Sequence, residues 1–491
     1  MFRTLTLTAA ALALTAGMAL AAKDTITIGM VLEPPILDPT AGAAAAIKEV
    51  TYGNVFEGLT AFGPDGSVKP ALAKSWDVSD GGKVWTFHLQ SGVTFQDGSP
   101  FSAADVKFSF DRARGDGSPN AQKPKYAEID SVDVVDPATV KFTLKAPDGN
   151  FTFLTSLGDS AILSPKSVAG ESTHPVGTGP YSFADWAKGD HIDLVRNQHY
   201  WGKEPQIAKA TFKFISDPNA AFAAVMSGDV DYFPQFPAPE TLEQFKGNPE
   251  FKVLVGTTEG ETILSINNRN APLNNIKVRE AIAHAINRKD IIDGAMFGFG
   301  TPIGTHFPPH NPDYVDLTGL SNYDPALSKS LLAEAGVQLP LKLRLALPPP
   351  PYARRGGEII QQELKAVGID TEVTNMEWAQ WLDQVFKRHD FDLTIVSHVE
   401  ANDIDIYARP DYYFGYNNPA FQTLIQTLQQ TSDPAARSAL LKQAQEMIAK
   451  DYVNGFLFQL AKTGVANAHL HGEWLNSPTP ANVLADMSWD Q

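Results

Sequence analysis

The chain has 491 residues, of which 43% are apolar and 10% are aromatic, and its formal net charge is −17. This length exceeds what one ordinary hydrophobic core serves, so we expect two lobes or more. The excess of 56 acidic over 39 basic side chains argues against nucleic acid as a partner, because nucleic-acid binders present basic faces. The chain has no cysteine, which excludes disulfides, thiolate metal sites, cysteine nucleophiles and a lipid anchor on an N-terminal cysteine.

Residues 1–21 predict a signal peptide. Arg3 precedes an apolar run over residues 5–20, and Ala19 and Ala21 form the small-x-small pattern of a signal peptidase site. The alternative is a membrane anchor, but threonines and a glycine interrupt the run, which is shorter than the about 20 apolar residues that a span requires. We therefore expect cleavage after Ala21 and a soluble periplasmic protein that is not a lipoprotein.

The first half of the chain predicts strands, turns and capped helices. Residues 25–31 predict a strand that the prolines of residues 33–39 end. Residues 85–112, WTFHLQSGVTFQDGSPFSAADVKFSFDR, combine a strand of alternating apolar residues, a turn at Asp97-Gly98 and a helix capped by Ser102 with Asp105. No group in this unit has an evident catalytic role, so we interpret it as scaffold.

A second lobe is predicted to begin near Leu264. A helix after Pro272 carries an apolar stripe, with Arg279 on the opposite, polar face. Further strands are predicted over residues 342–347 and 391–397, and further helices begin after the caps Asp324 and Asp433. Strands that alternate with capped helices predict an α/β fold.

The usual patterns of an exported enzyme are missing. There is no Gly-x-Ser-x-Gly elbow and no His-Glu-x-x-His helix. Residues 298–304, GFGTPIG, resemble a dinucleotide loop, but the last glycine comes one position late and Pro302 prevents the helix start that a pyrophosphate needs. We therefore predict a protein that is not an enzyme and that needs no cofactor.

Two histidine pairs are candidates for a metal site. His306 and His310 are four residues apart, yet two prolines lie between them and prevent a shared helical face. His469 and His471 would point to the same side of a strand, which suits a surface as well as a ligand pair. Paired histidines are often structural or solvated, so we assign no metal ligand.

Several motifs resemble the extracytoplasmic solute-binding proteins of family 5, which serve peptide and nickel ABC importers. They are residues 52–59 (YGNVFEGL), 85–112, 176–181 (VGTGPY), 200–202 (YWG) and 227–231 (SGDVD). The resemblance implies a bilobal fold of class C, also called type II, with a hinge and an extra subdomain in the first lobe. The implied division is 22–263 for the first lobe, with the subdomain at about 66–175, 264–465 for the second lobe, and 466–491 for a return to the first.

Ligands of two-lobed α/β proteins bind where loops leave the carboxyl ends of strands. The exit of the strand over residues 25–31 offers the carboxylate of Glu33 and, in the loop 40–46, the backbone amides of Ala43, Ala44 and Ala45.

The second candidate exit follows residues 342–347, where four prolines precede Arg354 and Arg355. A guanidinium binds a carboxylate through two parallel hydrogen bonds, and the prolines are expected to fix the loop ahead of a helix over residues 358–366. In the dipeptide binders that this segment resembles, an arginine at about this place holds the ligand carboxylate. The tetraproline departs from their pattern, so either arginine is a candidate, and the alternative is that both are solvated.

The third candidate exit follows residues 391–397 and contains His398, Glu400, Asp403 and Asp405. An ammonium group needs partly buried carboxylates, which this exit supplies. In the resembling dipeptide binders an aspartate of an Asp-Pro-Asp run here receives the amino terminus, whereas this chain has isoleucine in place of the proline. Two aromatic residues, Trp381 and Tyr407, are candidates for walls of the site or for core packing.

The sequence thus predicts a monomeric periplasmic component of an ABC importer. It would capture a peptide-like zwitterionic solute by hinge closure and deliver it to the permease in the inner membrane. Within the binding class, the alternatives are a metal chelate, an opine, a sugar or an amino-acid derivative. From other classes, an exported hydrolase or a chaperone-like factor remains an alternative.

Overall fold

A computed structural model describes residues 23–42, 44–120, 122–399 and 401–490. The predicted signal peptide and two candidate site residues, Ala43 and Glu400, lie outside the described residues. Within the described ranges, no helix is both long and apolar enough to cross a membrane.

The strands are short except for two long ones that run through both halves of the molecule. In chain order they are β1 (Thr25–Met30), β2 (Thr60–Phe62), β3 (Val68–Pro70), β4 (Ala73–Ser79), β5 (Val84–Leu89), β6 (Ile129–Asp136), β7 (Thr139–Leu144), β8 (Tyr181–Ala187), β9 (His191–Arg196), β10 (Lys209–Phe214), β11 (Tyr232–Phe233), β12 (Phe251–Ile266), β13 (Thr301–Pro302), β14 (Leu341–Leu347), β15 (Ile369–Asn375), β16 (Leu393–His398), β17 (Asn454–Asn467), β18 (Leu470–His471) and β19 (Ser488–Trp489).

The two longest of the described helices lie in the second half of the chain. In chain order the helices are α1 (Ala45–Thr51), α2 (Ala103–Arg114), α3 (Lys123–Tyr126), α4 (Phe151–Ser156), α5 (Pro218–Ser227), α6 (Glu243–Lys246), α7 (Ile276–Ala285), α8 (Arg288–Met296), α9 (Pro325–Glu334), α10 (Pro351–Ala366), α11 (Trp378–Trp381), α12 (Pro419–Gln430) and α13 (Pro434–Lys450).

One hydrogen-bonded sheet passes through both lobes in the order β15-β14-β16-β12-β17-β11-β1-β10-β9-β8, and β13 joins it at β17. The long antiparallel pair β12 and β17 connects the two parts. Its register shifts between Thr257 and Glu261, after which the pair continues in the second lobe. Within the described residues, β12 and β17 carry the sheet from one lobe to the other, and we interpret the segment of this register shift as the hinge. The predicted lobe boundary at Leu264 falls inside β12 and stays a prediction.

The second-lobe sheet is covered on both faces, as a layered α/β fold requires. Side chains alternate between the two faces along each strand. Leu264 and Leu345 pack with helices α7 to α10 into one core, whereas their neighbours Ile263 and Ala346 pack with α12 and α13 into the other. The first lobe has its own core around β1 and β10.

The subdomain of the first lobe is a four-stranded antiparallel sheet, β4-β5-β7-β6, packed against α2. The predicted strand and capped helix of residues 85–112 are both present. Ser102 accepts a hydrogen bond from Ala104 N, and Asp105 accepts one from Ser102 N at 2.8 Å, which completes the capping box. The unit is scaffold at the centre of the subdomain core.

Two local predictions for the second lobe are wrong. The stripe after Pro272 is not one helix, because the chain breaks at Ile286 and restarts as α8 with Asn287 as its cap. Arg279 is not on a solvated face: it is buried and donates to the carbonyl oxygens of Leu273, Asp451 and Tyr452 at 2.9 to 3.0 Å. An arginine that satisfies three backbone acceptors can be buried at low cost.

Candidate ligand-binding site

The second lobe brings several strand ends to one edge of its sheet. Strand β14 runs parallel to both β15 and β16, so all three leave the sheet on the same side. Strand β12 runs antiparallel to β16 and therefore enters the sheet there, with Glu261 opposite His398. The hinge segment, the exit of β16 and the start of α10 consequently share this edge, which is where α/β proteins bind ligands.

Asp403 is the central acidic group of this edge. Asn402 precedes it with φ at +58°, a left-handed conformation that asparagine tolerates, and the resulting bend follows the exit of β16. The side chain of Asp403 is 16% exposed. Its Oδ1 accepts a hydrogen bond from His306 Nε2 at 2.8 Å, and its Oδ2 lies 3.8 Å from His398 Nδ1.

The charge states of this cluster follow from its burial and its neighbours. Burial alone would raise the pKa of Asp403. The two nearby histidines oppose this effect, and His306 also donates a hydrogen bond, so the pKa of Asp403 lies below its usual range. Burial lowers the pKa of His398 to about 4, against the attraction of Asp403. At neutral pH the cluster therefore holds an ionised carboxylate beside a neutral His398.

Buried tyrosines orient both histidines. Tyr407 OH lies 3.1 Å from His306 Nδ1, and Tyr413 OH lies 3.1 Å from His398 Nε2. Asn454 in turn donates to Tyr407 OH at 3.2 Å. Tyr407 is fully buried, so it supports His306 from the core and does not form a wall of the cleft.

The two candidate arginines lie in a helix and not in a loop. The predicted helix start at residue 358 is wrong, because α10 begins at the last of the four prolines, Pro351, which suits the first helical position. Arg354 donates to the carbonyl oxygen of Met376 at 3.3 Å and to Glu377 Oε1 at 3.1 Å, just after β15, and its side chain is 38% exposed. The guanidinium of Arg355 lies instead over the ring of Phe297, at 5.2 Å.

Two further candidates of the second lobe have other partners. Trp381 is buried in the core and its Nε1 donates to Thr394 Oγ1 at 2.9 Å. Asp405 is paired with Arg409 one helical turn later. Of the acidic residues predicted at this exit, Asp403 alone is described in contact with the histidine cluster.

The first-lobe candidates lie near the exit of β1. Glu33 accepts hydrogen bonds from Trp186 Nε1 at 2.9 Å and from the backbone amide of Gly189 at 3.1 Å. Ala44 precedes α1 and Ala45 is its first residue, exposed to solvent. Glu33 is thus tied to the β8–β9 turn, whereas Ala45 stays accessible.

Sequence reasoning missed the histidine contacts of this edge. The sequence spacing suggested His306 and His310 as a pair. In the structure, His306 contacts Asp403, 97 positions away, and His310 Nε2 contacts Glu259 at 2.6 Å. Both carboxylates are far from their histidines in sequence, so no local pattern carries the signal. Burial raises the pKa of Glu259, and the nearby Asp403 adds to the increase although His310 opposes it.

The family-like motifs of the first lobe meet at one buried carboxylate. Glu57 accepts hydrogen bonds from Thr178 Oγ1 at 2.8 Å, Tyr200 OH at 3.0 Å and Trp201 Nε1 at 2.9 Å. Burial raises the pKa of Glu57 to about 7, although these three donors lower it. Three separate sequence motifs therefore act together as scaffold.

Comparisons with known proteins identify the family of this chain. The family model described as "Bacterial extracellular solute-binding proteins, family 5 Middle" matches residues 67–421. The glutathione-binding protein GsiB of Salmonella typhi is 30% identical over 456 residues, 88% of each chain. The nickel-binding periplasmic protein of Escherichia coli is 31% identical over 368 residues, 72% of this chain and 67% of the relative.

Among solved structures, the periplasmic binding protein DppA of Helicobacter pylori in complex with the peptide STSA is similar throughout. It superposes with a TM-score of 0.75 at 27% sequence identity. The alignment covers 96% of this chain and 99% of the DppA chain. The fold and these similarities define a bilobal solute-binding protein of the ABC transporter type. The chain belongs to family 5 of the bacterial extracellular solute-binding proteins. Members of this family are periplasmic transport components and not enzymes.

Proposed function

We propose that this chain captures a peptide-like zwitterionic solute between its lobes and delivers it to the permease of an ABC importer. The observation that carries the proposal is the presence of one acidic and one basic candidate at the same sheet edge. Asp403, ionised and mostly buried, lies after β16, and Arg354 lies at the exits of β14 and β15. A solute with an ammonium at one end and a carboxylate at the other complements this pair.

Asp403 is the better acceptor for an ammonium group than Asp405. Asp405 already has Arg409 as a cationic partner, and its side chain is 35% exposed, so solvent weakens its attraction for a second cation. Asp403 is paired with histidines, of which His398 is neutral at pH 7, and therefore retains its negative charge for a ligand.

Arg354 is the better carboxylate ligand of the two arginines. Its guanidinium reaches the end of β15, beside Met376 and Glu377, whereas Arg355 packs on Phe297, the residue that ends α8. A ligand carboxylate would replace Glu377, which is largely exposed, and would gain two parallel hydrogen bonds from the fork of the guanidinium.

The names of the similar proteins support this ligand class. One relative is named for binding glutathione, and one similar structure holds the peptide STSA. A second candidate, a metal chelate, is favoured by the relative named for binding nickel. Opines, sugars and other amino-acid derivatives are further alternatives within the same binding class.

A thermal-shift panel tests the proposal. Dipeptides, tripeptides, an opine, a nickel chelate and a neutral disaccharide would each be added to purified protein, and hydrolysis would be followed in the same wells. We expect only solutes with both an ammonium and a carboxylate to raise the melting temperature, without turnover, since a ligand that binds the native state stabilises it. A shift by the disaccharide or the chelate alone would reject the peptide class, and turnover would reject a pure binding role.

Export follows from the same proposal. The leader pattern of residues 1–21 and the absence of cysteine support a cleaved signal peptide and a periplasmic protein without a lipid anchor. N-terminal sequencing of the protein recovered from the periplasm should begin at Ala22, and a start at Met1 would contradict cleavage.

A further inference from the structure

The His306, His398 and Asp403 cluster has the composition of a metal site as well as that of a polar anchor. Within the described ranges, the ligand atoms of these three residues lie within 4.8 Å of one another. His306 is fully buried and the side chain of Asp403 is 16% exposed, so the cluster is closed on the core side and reachable from the edge where the strands end.

The spacing of the donor atoms is close to what a metal ion requires. A tetrahedral zinc ion binds nitrogen at about 2.0 to 2.1 Å and oxygen at about 2.0 to 2.2 Å, which separates neighbouring donors by about 3.4 Å. His306 Nε2 and Asp403 Oδ1 are 2.8 Å apart, and His398 Nδ1 and Asp403 Oδ2 are 3.8 Å apart. Both separations differ from the ideal by about half an ångström, which side-chain rotation accommodates.

The second nitrogen of each histidine is already oriented. Metal-binding histidines usually hydrogen-bond through the ring nitrogen that does not bind the metal, which fixes the ring and its tautomer. Tyr407 OH contacts His306 Nδ1 and Tyr413 OH contacts His398 Nε2, each at 3.1 Å. The two nitrogens that face Asp403 are His306 Nε2 and His398 Nδ1. His306 Nε2 donates to Asp403, so it can bind a cation only in the tautomer that carries the ring proton on Nδ1, where Tyr407 OH can accept it.

The donor set suits a cation. A metal ligand must be a neutral imidazole or an ionised carboxylate. The three side chains of the cluster are of these two kinds, and their ligand atoms lie within 4.8 Å of one another. Two imidazoles and one carboxylate select a borderline first-row divalent metal such as Zn²⁺ or Ni²⁺ over Ca²⁺ or Mg²⁺, which prefer all-oxygen sites.

We propose that His306 Nε2, His398 Nδ1 and Asp403 bind one divalent first-row transition-metal ion whose remaining coordination positions face the cleft. In that state the ion occupies Asp403 in place of an ammonium group, and an uncharged amino nitrogen or a carboxylate oxygen of the solute, or water, completes the coordination. This inference rests on the proposed function in one respect, which is the identity of the solute that coordinates the ion. Metal binding itself requires no solute, so the two claims can fail separately.

Metal titration of the protein tests this assignment. Protein stripped with EDTA would be dialysed against Zn²⁺ and, separately, Ni²⁺, and metal content would be measured per chain together with isothermal titration calorimetry. We expect one tight site per chain. His398→Gln and Asp403→Asn should each weaken that site at least tenfold, because each removes one of three protein ligands.

A surface pair of histidines provides the matched control. His469 and His471 both contact Asp490, and all three side chains are exposed. The double variant His469→Ala/His471→Ala therefore disrupts a second His-His-Asp set, which lies outside the cleft. This variant should retain the tight site. Loss of tight binding in the surface variant, or its retention in both cluster variants, would overturn the proposal, as would the absence of a stoichiometric site in the unchanged protein.

Cobalt spectroscopy keeps the proposal testable if the cluster variants fail to fold. Co²⁺ would be added to the unchanged protein and to the surface variant, and Zn²⁺ would then be titrated in. We expect the same intense visible bands of low-coordinate Co²⁺ in both, lost on addition of one equivalent of Zn²⁺, whereas the weak spectrum of hydrated Co²⁺ would reject the site. If EDTA-treated protein is still stabilised by peptides while no metal binds, this inference fails and the proposed function stands.

Discussion

The backbone amide of Gly149 donates a hydrogen bond to the carbonyl oxygen of Gln429 at 2.9 Å, and it thereby joins the first-lobe subdomain to the second lobe. Arg437 supports the acceptor side by donating to the carbonyl oxygens of Leu428 and Thr431 at 2.9 and 3.0 Å. The lobes therefore touch outside the shared strands β12 and β17, an arrangement that fits a closed cleft.

A side chain at Gly149 should hold the lobes apart. A Cβ atom at this position would lie 1.7 Å from the carbonyl oxygen of Thr431, a backbone atom, so Gly149→Ala cannot keep the contact. We expect a larger radius of gyration by small-angle scattering. The affinity for solute should fall in proportion to the lost closed population, about tenfold if that population falls tenfold.

Gly117→Ala is the control for this change, because a Cβ atom there meets nothing within 4 Å and the site is in the same subdomain. It should scatter like the unchanged protein. Equal radii for both variants would mean that the Gly149 contact does not govern closure.

The neighbouring arginines of α10 should differ in their effect on solute binding. Arg354→Ala removes the guanidinium at the end of β15 and should cost about 2 kcal/mol, about thirtyfold in affinity, for a solute with a carboxylate. Arg355→Ala removes the contact with Phe297 and should leave affinity within about twofold. Calorimetry with the best solute of the thermal-shift panel checks both, and equal losses would reject Arg354 as the selective contact.

Glu57 should make the first lobe less stable as the pH rises. Burial raises its folded pKa to about 7, so the folded state keeps a proton that the unfolded state releases from about pH 4.5 upward. The stabilisation from this group is therefore complete below about pH 4.5 and is lost as the pH rises to about 7.

Glu57→Gln removes this titration while it retains an acceptor for Trp201. The melting temperature of the variant minus that of the unchanged protein should increase from pH 4.5 to pH 8, because only the unchanged protein loses the stabilisation from Glu57. Contributions from other groups cancel in this difference. Glu372→Gln, at an exposed position, serves as the control. A pH-independent difference for Glu57→Gln would show that its pKa is not raised in the folded protein.

The ion pair between Asp38 and Arg112 should stabilise the first lobe. Asp38 is 2% exposed, and Arg112 Nη2 lies 3.0 Å from its Oδ2. Arg112→Met leaves that carboxylate buried without its cation, which should cost about 3 kcal/mol in the free energy of unfolding. In urea unfolding, the double variant Asp38→Asn/Arg112→Met should lose less than the sum of the single variants. Strict additivity would contradict a direct interaction.

Local sequence signals predicted much of the fold. The capping box of Ser102 and the aspartate caps at Asp324 and Asp433 are all present, because each depends on residues within one helical turn. The break between α7 and α8 was missed because the apolar stripe continues through Ile286. The burial of Arg279 was missed because its acceptors include Asp451 and Tyr452, more than 170 positions away.

From the sequence, only the location of the candidate site at the ends of strands could be predicted. Strand order places the exits of β14 and β16 together, but the partners of the side chains there are set by packing. Asp403 was a candidate by sequence, and the histidine that contacts it, His306, comes from a distant loop. Likewise, the start of α10 at Pro351, and not after the prolines, decides that Arg354 and Arg355 point to different surroundings.

Mass spectrometry of the bound solute tests the central claim most directly. Protein purified from its native source would be denatured, and the small molecules released would be identified and quantified per chain. We predict one main compound, close to one per chain, that carries both a free amino group and a carboxylate. A stoichiometric compound without these two groups, such as a neutral sugar, would contradict the account of a peptide-like zwitterionic ligand.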